Sequence, residues 1–233
     1  MDTAAPQSFH YLLFGGALIN NDAINDRLGE NGLGDFSPYA GAIGFGSTRW
    51  SGRYISVNEF ETLFWKKNRQ DNQVGMLNTG RFSSLHGIRL VNTPRFSLYP
   101  LAGIGAGFTT IKVWSDERSF NDALAVRSES DGASNLFQPT FLFDVGIGAH
   151  FSKKMPHGKP GMATIGLRAG YVFDPVKSNR WYQGRSVILD GPDGNLSGPY
   201  LRIVLGGSKP HWSKKQGASC CSNQKACENR QMK

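Results

Sequence analysis

One segment of the chain alternates apolar and polar positions over an unusual length. Residues 137–151 read FQPTFLFDVGIGAHF, in which every odd position is apolar and most even positions are small or polar. A period of two predicts a β-strand with one apolar face and one polar face. Strands of about 9–11 residues span a bilayer when they are tilted, and this one is longer still. The pattern therefore predicts a membrane-crossing strand whose apolar face meets lipid and whose other face lines a narrow barrel.

Seven further segments repeat this alternation, so eight strands are expected. Four keep a clean phase, and three are long and strand-like with a less regular phase. In chain order the seven are 9–19, 39–46, 54–65, 76–91, 98–108, 163–173 and 200–205. Eight such strands predict an all-β fold, namely an eight-stranded antiparallel up-and-down transmembrane β-barrel.

The connections between these strands alternate in length. Long polar connections at 20–38, 115–135 and 174–199 are separated by short ones, and a charged connection of medium length lies at 66–75. Bacterial outer-membrane barrels have short periplasmic turns and longer external loops. The alternation therefore predicts that both termini lie on the periplasmic side.

Composition narrows the function classes. The 233 residues carry a net charge of +8, but the basic residues are dispersed and no nucleic-acid motif accompanies them, so no nucleic-acid partner is expected. No stretch of about 18 apolar residues occurs, which argues against a transmembrane helix. Many of the 29 glycines lie inside the strand segments, where close packing in a narrow barrel would explain them. Met1–Ser8 has no apolar core of a signal peptide, which counts against export unless the sequence is a mature form.

The barrel is expected to lie between two short terminal segments. Residues 1–7 are expected to form an N-terminal periplasmic segment, residues 8–207 the barrel, and residues 208–233 a basic, cysteine-containing tail. All three cysteines, Cys220, Cys221 and Cys227, lie in that tail. They are either incidental thiols or a disulfide from Cys220 or Cys221 to Cys227, which an oxidising periplasm would permit. No histidine stands at zinc-finger spacing beside them, so no metal site is expected.

Charged residues share the inward phase of several strands. An eight-stranded barrel is just wide enough for side chains to fill it, and an unpaired charge buried there costs several kcal/mol. The phase therefore predicts an internal ion-pair network with a structural role, formed by Glu59, Glu61, Arg81, Arg89, Asp144, Arg168 and Arg202. Within it, Asp144 and Arg168 are expected to pair, because they lie on neighbouring strands with opposite charge. The alternative is a catalytic carboxylate or a selectivity ring.

Aromatic residues fall near the predicted strand ends, where amphipathic rings suit the two membrane interfaces. The expected interfacial girdles consist of Tyr54, Trp65, Tyr99, Trp114, Phe137, Phe151, Tyr171, Phe173 and Tyr200.

Over residues 8–207 the chain resembles the small eight-stranded outer-membrane barrels of the OmpA-like or OmpX-like kind. The resemblance rests on FQPTFLFDVGIGAHF, MATIGLRAGYVF, PYLRIVLGG and YPLAGIGAGF. It implies a location in the bacterial outer membrane, contact with outer-membrane lipids and lipopolysaccharide, further outer-membrane or periplasmic proteins as partners, and no cofactor. The expected role is a structural or accessory subunit of an outer-membrane assembly, or a surface-interaction protein, without an open pore. One departure is that the chain continues past Leu205 into the basic tail, whereas many such barrels end on an aromatic residue.

Two other functions remain open. The first is an outer-membrane enzyme that modifies lipid A, for which Ser83, Ser84 and His86, which lie together in RFSSLHG, are considered as catalytic residues. Adjacent serine and histidine do not make a nucleophile and base without the right geometry, so no catalytic residue and no enzyme activity are expected. The second is a soluble, lipocalin-like ligand-binding barrel.

Overall fold

The computed structural model describes residues 7–70, 73–93, 95–115, 134–154, 161–176 and 178–208. Its elements, in chain order, are β1 (Gln7–Leu18), α1 (Asp22–Gly29), β2 (Tyr39–Ser51), β3 (Tyr54–Phe64), β4 (Asn68–Gln70), β5 (Gln73–Ile88), β6 (Val91–Asn92), β7 (Phe96–Ser115), β8 (Ser134–Lys154), β9 (Met162–Phe173), β10 (Trp181–Gln183), β11 (Ser186–Ile188) and β12 (Gly198–Ser208). Eight of these strands form the wall of a closed barrel: β1, β2, β3, β5, β7, β8, β9 and β12. The predicted all-β, eight-stranded antiparallel up-and-down barrel is confirmed.

Antiparallel pairing closes the barrel, because β12 returns to pair with β1. The pairing is staggered. A path that starts at Ala17 and steps from each residue to its paired neighbour goes once around the wall and returns to β1 at Gln7, ten residues before its starting point. The path passes through Tyr200, Gly170, Gly146, Leu101, Gly87, Ile55 and Trp50. A stagger of this size tilts eight strands about 40° from the barrel axis, within the usual range for membrane barrels. Closure lets the strands meet their backbone hydrogen bonds within the wall, as lipid requires.

The two faces of the wall follow the predicted phase. In β8, Phe143, Val145 and Ile147 are about half exposed on the outside, whereas Leu142 and Asp144 are buried inside. Each of the eight strands carries exposed large apolar side chains on its outer face, for example Phe14, Ile43, Phe64, Phe82, Ile104, Val145, Leu167 and Ile203. Soluble proteins rarely expose contiguous apolar surface of this extent. The outer wall is therefore that of a membrane-spanning barrel and not of the soluble lipocalin-like alternative.

The two ends of the barrel differ. Connections β1–β2, β3–β5, β7–β8 and β9–β12 lie at one end, called here the loop end, and the remaining connections and the ends of β1 and β12 lie at the other, called the turn end. Helix α1 packs at the loop end through the buried Ile24, beside Phe36 from the same connection. Within the described residues, no helix is long and apolar enough to cross a membrane.

Glycines on the inner face make room for rings from neighbouring strands. A Cβ at Gly46 would lie 2.5 Å from the Tyr11 hydroxyl, and a Cβ at Gly146 would lie 2.7 Å from the Tyr200 hydroxyl. Side chains do not approach each other so closely, so these positions accept only glycine while the rings stay in place. Close packing in a narrow interior accounts for glycine at these two strand positions.

The expected aromatic girdles are only partly correct. Trp65, Tyr99 and Tyr200 point into the barrel and are buried there. The outer wall carries the exposed members of the set, which are Tyr54, Phe137, Phe151, Tyr171 and Phe173, while Trp114 is half-buried with the Lys67 ammonium over its ring. Strand phase, and not closeness to a strand end, decides which face a ring occupies.

Replacing Val145 with arginine tests the lipid-facing assignment. Val145 is exposed on the outer face in the middle of β8, and an arginine near the bilayer midplane costs about 2–4 kcal/mol. Urea unfolding of Val145→Arg in lipid vesicles should show this loss in the free energy of unfolding. The matched control is Val187→Arg in the exposed β10–β11 hairpin, which should change that energy by less than about 0.5 kcal/mol. Equal tolerance at both positions would contradict the assignment.

Candidate functional site

The interior of the barrel is filled in three layers. Along β3, Ile55 and Val57 belong to an apolar cluster toward the turn end, and Leu63 belongs to a second apolar cluster toward the loop end. Glu59 and Glu61 lie between them and are buried. The middle layer, called here the charged layer, consists of Glu59, Glu61, Arg81, Asp144, Arg168 and Arg202. Apolar packing on both sides keeps this layer away from water at either mouth.

Glu59 is the centre of the charged layer. Its Oε2 lies 2.5 Å from Nη1 of Arg168, and its Oε1 pairs with Nη1 of Arg202. The Tyr11 hydroxyl donates to Oε2 over 3.2 Å, and the Arg168 guanidinium lies over the Tyr11 ring at 4.9 Å from its centroid. Arg168 also donates to the Thr48 hydroxyl over 3.4 Å. One carboxylate therefore links β3 to β9 and β12 across the lumen, with β1 and β2 supplying polar support.

Glu61 continues the network toward β5. Its Oε1 accepts from Nη2 of Arg202 over 2.7 Å. The same oxygen lies 2.6 Å from Nη2 of Arg81, which is ion-pair distance, although the approach is off the direction of a hydrogen bond. Arg202 is thus shared between two glutamates, in the fork geometry that suits guanidinium groups.

Asp144 lies at the edge of the layer. Its Oδ1 accepts from the Tyr200 hydroxyl over 2.8 Å, and its Oδ2 lies 4.0 Å from Nη1 of Arg202. The Arg202 guanidinium lies over the Tyr200 ring, 3.7 Å from the centroid to Cζ. With Asp144 included, three carboxylates face three guanidinium groups, so the formal charges of the layer balance.

Hydrogen bonding within the layer is incomplete. Among the described residues, Glu61 Oε2, Asp144 Oδ2 and the Nε atoms of Arg81, Arg168 and Arg202 have no hydrogen-bond partner. Charge balance and packing therefore hold the layer together, and removal of one member would leave an uncompensated charge in the interior.

Two expectations for these residues are wrong. Arg89 is not in the charged layer: β5 ends at Ile88, so its phase no longer applies, and Arg89 donates at the turn end to Asn92 Oδ1 over 2.8 Å and to the Gly52 carbonyl. Asp144 and Arg168 do not pair. Arg168 lies opposite Gly148 in the β8–β9 ladder, four residues from Asp144, so the strand stagger carries it to Glu59 instead.

The sequence pattern does not identify two tyrosines that support the charged layer. The hydroxyls of Tyr11 and Tyr200 each donate a hydrogen bond to a carboxylate of the layer. Tyr11 lies in a strand of irregular phase, and Tyr200 was expected at the membrane interface. The sequence does carry a signal for both tyrosines in the inward-facing glycines. The Tyr11 ring lies over Gly46 and the Tyr200 ring lies over Gly146, so an inward glycine indicates a large side chain on a neighbouring strand.

The serine–histidine cluster does not form a catalytic pair through Ser83. Ser83 is buried on the inner face of β5, whereas Ser84 and His86 lie on the outer face. The Nδ1 atom of His86 is 2.5 Å from the Tyr54 hydroxyl, and that contact orients the imidazole along the wall.

The predicted terminal segments lie almost entirely outside the described residues. This holds for the N-terminal segment except Gln7, for the tail beyond Ser208, and for Cys220, Cys221 and Cys227. In the part of the chain that the structure describes, no group of three or more histidine, cysteine, aspartate or glutamate side chains is arranged to hold a metal ion.

A hairpin formed by β10 and β11 projects at the loop end. Trp181 faces inward, is buried, and donates from its indole Nε1 to the Pro192 carbonyl over 2.7 Å. The next pair, Tyr182 and Val187, faces outward and is exposed, with Leu189 exposed close by. The buried tryptophan anchors the hairpin, and its outer side presents apolar surface beyond the barrel.

No family model and no curated protein matches the chain. Among solved structures, Ail, the attachment invasion locus protein of Yersinia pestis, is 9% identical, with 87% of this chain and 95% of that chain covered at a TM-score of 0.40. Ail in complex with the heparin analogue sucrose octasulfate gives the same values. A major outer membrane protein from Thermus thermophilus is 11% identical, with 88% and 99% covered at a TM-score of 0.44. The strand pairing and the apolar outer wall described above establish the fold.

A double-mutant cycle tests the pairing in the charged layer. Glu59→Gln and Arg168→Met should each cost about 3–5 kcal/mol, because each leaves a buried charge unpaired. The double variant should cost about 1–3 kcal/mol less than the sum, as coupled neighbours do. Urea unfolding in lipid vesicles measures all three. The control cycle, Asp144→Asn with Arg168→Met, should show the smaller coupling, because these two side chains touch only through Arg202 and Glu59, and the reverse ranking of the two cycles would contradict the described geometry.

Proposed function

We propose that this chain is an integral outer-membrane barrel that acts without an open pore, either as a structural or accessory subunit of an outer-membrane protein assembly or as a surface-interaction protein. The observation that carries the proposal is the filled interior. Two apolar clusters enclose a charge-balanced layer, so no continuous polar path joins the two mouths through the described residues. A closed barrel can act only through its loops and its outer wall.

The location and orientation in this proposal have separate support. The apolar outer wall requires a bilayer, and closed β-barrels of this size are the form in which β-structure crosses bacterial outer membranes. Short connections at the turn end suit the periplasm, so the proposal assigns both termini to that side and the larger loop end to the outside. Outer-membrane lipids and lipopolysaccharide are then the immediate neighbours of the wall.

The loop end offers a surface for protein contact. The β10–β11 hairpin exposes Tyr182, Val187 and Leu189 beyond the barrel, and its base is fixed by the buried Trp181. Exposed apolar residues on a rigid hairpin are typical of a recognition surface, where they lose little conformational freedom on binding. The proposal assigns no catalytic role to Ser83, Ser84 or His86.

The absence of a pore can be measured directly. Wild-type protein incorporated into planar bilayers should give no stepwise conductance, because the charged layer and its two apolar neighbours fill the lumen. Incorporation is verified in the same preparation by the slower migration of heated protein in detergent gels, as expected for closed membrane barrels. Stepwise currents from verified preparations would contradict the closed-barrel proposal.

The hairpin surface is tested by Tyr182→Ser combined with Val187→Ser. Wild-type protein in detergent, used to recover proteins from outer-membrane extracts, should retain partners that the double variant loses, because two exposed apolar contacts are removed. The control is Val145→Ala on the lipid-facing wall, which should retain the same partners. Identical recovery by the double variant and the wild type would remove the hairpin from the proposal.

A further inference from the structure

The outer wall of the barrel is not apolar everywhere. Two adjacent rows of outward-facing side chains on β1, β2, β3 and β5 are polar, and together they are called here the polar wall patch. One row is His10, Ser47, Asn58 and Ser84, and the other is Arg49, Ser56 and His86, each residue paired with the next across the ladder. His10, Arg49, Asn58 and His86 are exposed, and the serines are half-buried.

Apolar rows lie above and below the patch. Toward the loop end the next row of outward residues is Phe45, Phe60 and Phe82, paired in that order. Toward the turn end the next row contains the exposed Tyr54 and Ile88. The patch therefore lies within the height of the lipid-facing belt and not beyond its edge.

The opposite wall has no such feature. Strand β9 lies four strands from β3 in either direction around the barrel, and the stagger places Leu167 of β9 at nearly the height of Asn58. Leu167 and its neighbour Ile165 on the same face are both exposed. The polar patch is thus confined to one side of a wall that is apolar elsewhere at that height.

Lipid tails cannot satisfy these side chains. Among the described residues, Ser47, Asn58 and Ser84 have no hydrogen-bond partner for their side chains. A hydroxyl or amide that faces hydrocarbon without a partner costs free energy, and polar residues inside membranes commonly face another protein surface for this reason. Small polar residues also allow two backbones to come close.

We propose that the polar wall patch is an interface within the membrane for a second copy of this chain, so that two barrels pack side by side. This rests on the proposed function as a subunit of an outer-membrane assembly. Serine hydroxyls and the asparagine amide both donate and accept hydrogen bonds, so the patch complements itself. The Phe60 ring above Asn58, flanked by Phe45 and Phe82, supplies the apolar contact that such interfaces concentrate at their centre.

The positions of the patch also fit a second copy. A two-fold axis along the membrane normal through Asn58 places β2 of one barrel opposite β5 of the other. The paired rows rise toward the loop end from β2 to β5, so Ser47 of one copy then faces His86 of the other, and Arg49 lies opposite Ile88. The Ser47 hydroxyl thereby gains a hydrogen-bonding neighbour that lipid tails lack.

Cysteine cross-linking in lipid vesicles tests the interface. The background replaces Cys220, Cys221 and Cys227 with serine, so that only introduced thiols react. Asn58→Cys should form a disulfide-linked dimer under mild oxidation, and the matched control Leu167→Cys, exposed at nearly the same height on the opposite wall, should not. Equal cross-linking at both positions, or at neither, would overturn the proposal.

A second measurement keeps folding apart from association. In Asn58→Leu combined with Ser84→Leu, the dimer measured by energy transfer between labelled copies in vesicles should weaken about tenfold, since the hydrogen bonds of two side chains from each copy are lost. The free energy of unfolding of the monomer should not fall, because leucine suits a lipid-facing position.

The outcomes separate this inference from the proposed function. Unchanged dimer affinity in the leucine variant, or a wild-type protein that stays monomeric as the protein-to-lipid ratio rises, would overturn the dimer and leave the patch to lipid or to a different protein. Neither result would bear on the conductance of the barrel in bilayers or on the recovery of partners through the β10–β11 hairpin. The proposed function fails only on those separate readouts.

Discussion

A bilayer supplies no hydrogen bonds to a polypeptide, and this constraint governs the whole molecule. Backbone amides and carbonyls must be satisfied by neighbouring strands, so the sheet has to close, and closure of eight strands leaves an interior only wide enough for side chains. Every inward residue is then forced to pack against residues from across the barrel. Inward glycines such as Gly46 and Gly146 exist because Tyr11 and Tyr200 occupy the space beside them.

The same narrowness explains why charges in the lumen form a connected set. Glu59 is within ion-pair distance of Arg168 and Arg202, and Arg202 also reaches Glu61. Replacing such a network by well-packed apolar residues is often neutral or stabilising in other proteins, so its presence is weak evidence for stability as such. Its more specific effect is on register: a slip by one residue in β3 would turn both glutamates outward into lipid, which the membrane penalises strongly.

Much of this arrangement could be predicted from residues alone, because a period of two assigns faces directly. The phase of β8 placed Val145 outside and Asp144 inside, as the structure does. The phase of a strand does not give the position of a residue along the barrel axis. Arg168 meets Glu59 and not Asp144 because the strands are staggered by ten residues around the barrel, and no local pattern encodes that number. Arg89 was expected inside the barrel because the alternation of β5 was continued past Ile88. The strand ends there, so the alternation no longer assigns a face to Arg89. The inward turn of Tyr200 likewise depends on phase, which outweighs its position near a strand end.

Strand β12 closes the barrel against β1, and it is the last of the eight wall strands in chain order. It carries Arg202, the guanidinium that joins Glu59 to Glu61. Until β12 arrives, the two glutamates of β3 lack this shared cation and the sheet still has two open edges. The last pairing of the wall and the neutralisation of the two glutamates therefore depend on the same strand, so a chain without β12 lacks both a closed wall and a charge-balanced interior.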